Sequence, residues 1–410
     1  MSRPRLTRTA ALAAATAACL SAAAARVGVA QSRLLDARLG EAGVTFERWS
    51  FGGRGVLEQA TSADTVRVTS VSQFSVPLVA VVPWGERWTF DGFLAYANGS
   101  VRVAATAAEP ARTLSLSGLS DLKVRAVGRL AGDAVLLTLG ANIPTGKTSL
   151  SDEEFQALRV LAAPALAMRV VAVGVGPGGT AGVVLARAVG SWSTAAGLSY
   201  EMRGSYSPLA AIAAGVGATT WNPGDALHLS LGADRLVGAH DLSLNVTTDF
   251  FTTDRGRIEL SGGERTDFAF RLGPVVTAQG QLRVAAARFR ELTVYAVDRY
   301  RTSFKGDSGG RVPGSSGNAF ELGAAGVMGR GRSTGVVLGA DARFHSGLSV
   351  DNTLATAALR AAGLTLGLAR DVGRLSVRPV LRAQLGSVNS GDTRAGATAL
   401  GVSVTAGTRF

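Results

Sequence analysis

The run Ala141-Asn142-Ile143-Pro144-Thr145-Gly146-Lys147-Thr148 has nearly the spacing of a nucleotide-binding loop, and it follows an apolar run over residues 135–139, as such a loop should. A phosphate cradle wants glycine first, so that backbone N–H groups turn inward, and then a helix whose N-terminus faces the anion. Ala141 stands where that first glycine belongs. Ser151 and Glu154 are spaced as a capping box opening a short helix through Val160, but Asp152, Glu153 and Glu154 at its start would repel phosphate. The mature chain's three histidines, His228, His240 and His345, fit neither a metal-binding helix motif nor a compact ligand set. His228 and Ser230 share a strand face and could pair as base and nucleophile of a lipid hydrolase. They lie opposite Leu227, Leu229 and Leu231, and so away from any lipid. Glu153 and Glu154 read as a solvated loop face. No enzyme activity and no cofactor are expected.

The elements carrying these residues follow from composition and periodicity. The chain has 410 residues, 47% hydrophobic and 18% charged, with 52 glycines and one cysteine. Arg3, Arg5 and Arg8, an Ala-rich stretch over residues 10–25, and Val27-Gly28-Val29-Ala30 read as an export signal (1–30) cut before Gln31. Cleavage removes Cys19, and with it structural disulfides and cysteine metal ligands. A lipoprotein cut at Cys19 would want leucine where Thr16 stands. Loss of the signal's four arginines takes the formal charge from +12 to +8, and no Lys/Arg-rich block points to nucleic acid. Downstream, no apolar run reaches the ~18 residues that a spanning helix needs.

The period after the signal is two. Leu400, Val402, Val404, Ala406, Thr408 and Phe410 share one parity, and polar or small residues fill the other. The same alternation returns around residues 122–129, 241–250 and 374–385. These runs of roughly ten to fifteen residues are long for a soluble sandwich and long enough to cross a bilayer at ~45° tilt. Short turns expected near residues 131–133, 176–179, 237–240, 278–280, 329–332 and 371–373 interleave with longer loops near 144–163, 254–264, 305–317, 346–351 and 388–394. Short periplasmic turns and long extracellular loops are the rule of outer-membrane barrels. Trp84, Trp192 and Trp221 are expected at the outer rim. Phe410 on the last strand resembles the terminal aromatic by which such barrels are recognised for assembly.

Gly118-Leu119-Ser120-Asp121, followed by a hairpin and Pro144-Thr145-Gly146, resembles a family of outer-membrane barrels associated with aromatic-compound degradation by the phenol meta-pathway, similar in turn to long-chain fatty-acid transporters. The resemblance covers residues 118–147 and implies passage of small, often hydrophobic molecules.

The fold expected is an all-β, antiparallel up-and-down transmembrane barrel of 14–18 strands over residues 65–410, with 31–64 as a periplasmic or plug-like segment. The expected function is passive passage of small solutes across the bacterial outer membrane; the rivals are a structural or adhesive barrel and a lipid-modifying enzyme. Its partners would be outer-membrane lipids, the barrel-assembly machinery and a small-molecule solute. The polar parity would line the lumen: Lys123, Arg125 and Arg129 early, Asp234, Asp241 and Asp249 in the middle, and Arg343, Arg374, Arg378, Arg382 and Arg409 late. Closure would gather the basic residues at the seam opposite the acids, giving a transverse field; ordinary ion pairing between neighbouring strands is the equal alternative.

Overall fold

The computed structural model describes residues 39–53, 55–59, 65–105, 110–131, 133–168, 172–209, 216–260, 265–329, 333–348, 354–390 and 393–409. The export signal, Cys19 and Phe410 lie outside them. The chain rises through β1 (Leu39–Phe51) and β2 (Val56–Gln59), returns through β3 (Thr65–Trp84), rises through β4 (Trp88–Val103) and returns through β5 (Arg112–Leu119) and β6 (Leu122–Leu130). Next come β7 (Val135–Ile143), helix α1 (Asp152–Leu161), β8 (Gly178–Val189), β9 (Trp192–Arg203), β10 (Tyr206–Leu209), β11 (Val216–Asn222), β12 (Ala226–Val237) and β13 (His240–Phe251). Strands β14 (Thr253–Leu260), β15 (Arg265–Arg271), β16 (Val275–Arg283), β17 (Phe289–Arg301), β18 (Gly317–Met328) and β19 (Thr334–His345) follow. The chain ends with β20 (Ala358–Val372), β21 (Leu375–Ser390) and β22 (Thr393–Arg409).

Eighteen of these strands form one sheet and four form another. In the large sheet β1 and β2 pair in succession with β3, and β5 and β6 in succession with β4, so each couple is one crossing and the crossings number sixteen. The first crossing closes on the last: Leu39 faces Arg409, Phe46 faces Val402 and Phe51 faces Ala397. Closure of the long crossings on one another is the condition for a sheet to span hydrocarbon.

The barrel therefore begins at Leu39, not residue 65, and residues 39–59 are wall rather than plug. Glu41, Thr45 and Glu47 alternate with Ala42, Val44 and Phe46, but the pattern breaks at the long-loop end, where the inward parity turns apolar and Arg48 faces out. Val44 and Phe46 face outward, 46% and 40% exposed, while Trp49 and Phe51 face inward and are buried. Two expected turns also move. Residues 278–280 lie within β16, and 176–179 bridge a long connection and the start of β8. Trp84 and Trp192 consequently sit at the rim of short turns, while Trp221 lies beyond the opposite rim.

The outer face carries the apolar parity. Leu229, Val246, Leu364, Leu366, Leu381, Leu400 and Val402 are all exposed. On β3 the outward face from Phe74 to Trp84 runs about 33 Å along the strand, roughly 24 Å along the axis at ~45° tilt. That is the height of the ~25 Å apolar band of a membrane barrel.

Candidate functional site: the lumen and its inward loop

Alternation sends every second residue into the barrel, but the lumen is divided. On the inner faces of β3, β4, β5, β20, β21 and β22, Val68, Val71, Ala97, Val101, Leu114, Leu116, Leu359, Val388 and Ala397 are buried in one cluster with Leu150, Leu158, Leu161, Leu166 and Met168. The connection over residues 144–177 has folded into the barrel and laid an apolar face on an apolar wall. Helix α1 begins with the expected capping box, in which Ser151 Oγ accepts the Glu154 N–H and the Glu154 carboxylate accepts the Ser151 N–H at 3.0 Å. Leu161 lies over Gly99 of β4, where a Cβ would stand 2.4 Å from Leu161 Cδ1, so a larger residue there pushes the leucine aside.

The phosphate-loop lookalike closes this loop. Asp121, 2% exposed, interrupts the β5–β6 crossing and accepts hydrogen bonds from Asn142 Nδ2 at 2.8 Å, Gly146 N at 3.0 Å and Val175 N at 2.8 Å. Thr145 Oγ1 accepts from Leu122 N at 2.9 Å and donates to the Ser120 carbonyl at 3.1 Å. Gly174 N donates to the Lys147 carbonyl at 2.9 Å, and a Cβ on Gly146 would stand 2.6 Å from Gly174 N. Lys147 pairs with Glu154. The Gly146 N–H and the Lys147 ammonium are thus committed to the chain's own carboxylates and the Thr145 N–H to the Ile143 carbonyl, and one side chain, Asp121, holds both ends of the inward loop.

The rest of the lumen is polar and paired. Tyr295 donates to Glu321 at 3.0 Å, Arg343 stands 3.4 Å from Glu321, and Arg382 reaches Asp341 through Nε at 3.1 Å. Gln384 donates to Asp341 at 3.0 Å. This ladder crosses β17 to β21. Glycines form its floor: a Cβ on Gly323 would meet the Tyr295 ring and hydroxyl at 2.8 Å, and one on Gly363 would meet Asp341 Oδ1 at 2.9 Å. A second group joins β9, β12 and β13, where His228 lies between Asp249 at 2.8 Å and Glu201 at 3.3 Å, with Arg203 on Glu201 at 3.1 Å.

The expected lumen residues are distributed unevenly over these groups. Arg343 and Arg382 share the ladder, Asp249 joins His228, and Arg125 pairs with Asp91 at 2.7 Å. Asp234 accepts from Ser243, and Asp241 faces Arg283 across the β13–β16 pair; both stand near the short-turn rim. Arg374 and Arg378 are exposed near that rim on the β21 side, Arg129 is near the end of β6, and Lys123 is half-buried across from Asn142. Arg409 faces Leu39 at the seam. Sequence reading singled out Asp121 only as part of the Gly-Leu-Ser-Asp motif, not as a latch, and missed Asp91, Glu201, Glu321 and Asp341. Each of these four lies on the polar parity of its strand and was legible as lumenal, but pairing depends on register. His228 and Ser230 face inward as expected.

Beyond the long-loop rim, β10, β11, β14 and β15 form the second sheet, two hairpins continuing β9, β12, β13 and β16. Its core is aromatic: Trp221 stacks 5.5 Å from Phe268 and 5.2 Å from Phe270, and Phe304 is 1% exposed. Asp254 is buried there, accepting the Gly224 N–H through Oδ1. Burial pushes its carboxyl up to about 7, while the Gly224 N–H and Arg203 pull it down. Such a group keeps its proton in the fold at a pH where the unfolded chain has lost it. The stability it adds is complete below the unfolded value of 3.8 and fades as pH rises toward 7. Amide exchange in β14 and β15, corrected for intrinsic rates, should be slowest near about pH 4 and speed up toward about pH 7. Asp254→Asn should remove that dependence; an unchanged slope in the variant would exclude Asp254 as its source.

No family model matches the chain, and no curated protein matches it. Solved structures similar to it include a bacterial polysaccharide outer membrane secretin, 10% identical with a TM-score of 0.43 over 91% of this chain and 99% of that one. A TodX monoaromatic hydrocarbon channel deltaS2 mutant is 9% identical, with a TM-score of 0.41 over 92% and 91%. OccK1 (OpdK) of Pseudomonas aeruginosa is 9% identical, with a TM-score of 0.41 over 90% and 99%.

Proposed function

We propose that this protein is an outer-membrane channel through which small solutes pass passively, exported by its N-terminal signal and inserted with the long loops outside. The reading is carried by one observation: a closed barrel with an apolar exterior holds a loop inside a lumen whose remaining wall is polar and ion-paired. A structural barrel has no need of a latched loop within it. Selectivity arises where residues 144–177 face the ladder of β17 to β21. The small, often hydrophobic or aromatic solutes implied by the Gly-Leu-Ser-Asp and Pro-Thr-Gly motifs are the first class to try, because an aromatic acid suits a polar path beside arginines. The test is single-channel conductance of the refolded mature chain in a planar bilayer, with and without small aromatic acids and fatty acids. Discrete steps reduced by one class are expected. A folded, heat-modifiable barrel that never conducts would overturn the reading.

A further inference from the structure

The outer surface is not uniform around the barrel. Along β7 to β19 the long-loop end of the outer face carries Tyr200, Phe250, Tyr300 and Phe344, all exposed. On β1, β3 and β4, beside the seam, an aromatic row lies lower. Phe46 faces Phe74 across the β1–β3 pair, Tyr96 lies beyond on β4, and each is about two-fifths exposed. Directly above it the wall continues but changes character. Arg48 lies level with Ser72 and Ser100, whose hydroxyls bond at 2.8 Å, and Arg102 lies level with Ser70 and Ser50. Arg67, Arg360 and Arg394 lie on the same stretch of outer wall, further toward the long loops: Arg394 stands six residues along β22 from Leu400, the partner of Arg48. Each of the five is next in sequence to an inward, buried residue: Trp49, Val68, Val101, Leu359 and Ala395. Alternation therefore points all five outward. Among the described residues, the outward positions of β20, β21, β22, β1, β3, β4, β5 and β6 hold no carboxylate.

We infer that this arginine crescent is a docking surface for a phosphate-bearing lipid of the leaflet that faces the long loops. The inference rests on the membrane placement proposed above. Aromatic side chains settle at the boundary between hydrocarbon and headgroups, so residues just above Phe46, Phe74 and Tyr96 stand at headgroup height. Guanidinium presents a planar fork that matches phosphate oxygens bidentately and stays charged at every relevant pH. Strands lie ~4.8 Å apart and residues ~3.3 Å apart along a strand, so Arg48 and Arg102, two strands and two residues apart, are separated by roughly 12 Å and suit a headgroup with more than one phosphate. The lipid's chains would lie on the apolar wall below. With no acid on this face, a cationic group has nothing to bind, and a headgroup with a single phosphodiester engages it more weakly than one with two phosphomonoesters.

The test uses the full mature chain and a variant, Arg48→Gln, Arg102→Gln, Arg360→Gln and Arg394→Gln combined, folded into phosphatidylcholine vesicles. The vesicles carry either a bisphosphorylated disaccharide lipid or its dephosphorylated form. Lipid retained after detergent extraction is counted by native mass spectrometry, and insertion is scored separately by protease protection and heat-modifiable migration. The wild-type chain should keep the phosphorylated lipid, and the inserted variant should lose about tenfold in retention. Equal retention by an inserted variant, or equal retention of the dephosphorylated lipid, would overturn the inference. Failure of both proteins to insert in any vesicle would overturn the membrane placement, and the inference with it.

Discussion

Replacing Asp121 with alanine is expected to turn a narrow, steady pore into a wider and noisier one. The Asp121 carboxylate accepts three hydrogen bonds, from Asn142, Gly146 and Val175. Hydrogen bonds to a charged group are worth about 1.5–3 kcal/mol each, and their loss here leaves two backbone N–H groups without partners at a 2% exposed site. The barrel ladder does not depend on them. Both ends of the inward loop do, so the strain of the substitution falls on residues 144–147 and 172–176. Single-channel conductance should rise by at least about twofold with larger open-channel noise, because less of the lumen is obstructed. Protease added on the long-loop side should cut within residues 144–177. Gly99→Leu reaches the same end from the wall, since its side chain would occupy the space of Leu161 while suiting a strand. Unchanged conductance in both variants, with the loop still protected, would mean that residues 144–177 do not set the width of the pore.

Substituting Asp341 with alanine should give the largest change in both charge selectivity and barrel stability. Asp341 has a 6% accessible side chain and holds Arg382, itself 18% accessible, together with Gln384. Breaking one partner of a buried pair costs about 3–5 kcal/mol; the wet lumen lowers that to roughly 1–3 kcal/mol. The unfolding transition should move to lower temperature or denaturant. Deleting one negative charge also leaves Arg382 unneutralised, so the reversal potential in a salt gradient should shift toward anions. The double variant Asp341→Ala, Arg382→Ala restores neutrality and should return selectivity most of the way. The field reading places a further demand on the seam side: Arg378→Ala should weaken any anion preference. Reversal potentials indifferent to all three variants would place the selective step elsewhere in the lumen.

The membrane barrel was written in period two and turn spacing, which are local properties. Alternating parity at residues 122–129, 241–250 and 398–408 is repeated as outward apolar and inward polar faces in the structure. The capping box at Ser151 was legible for the same reason, since its partners lie three residues apart. Parity failed where it is broken within a strand. In β1 Glu41, Thr45 and Glu47 alternate with Ala42, Val44 and Phe46, but Trp49 and Phe51 on the inward parity are apolar because they pack in the buried cluster, so the length of the first crossing could not be counted. The apolar residues after α1 failed for the matching reason: they look like another crossing but bury against the inner wall.

The sequence by itself determined the class of the fold, the direction each strand's side chains face and the polarity of each face, because these depend on neighbours two residues apart. Tertiary structure alone decided that sixteen crossings close on one another, which lumenal charges meet, and that the lookalike phosphate loop is a latch. Asp121 and Val175, Asp341 and Arg382, and Phe46 and Val402 are brought together by register and closure across long stretches of chain. A residue's own parity says that it faces the lumen or the lipid. Only the pairing of strands says what it meets there.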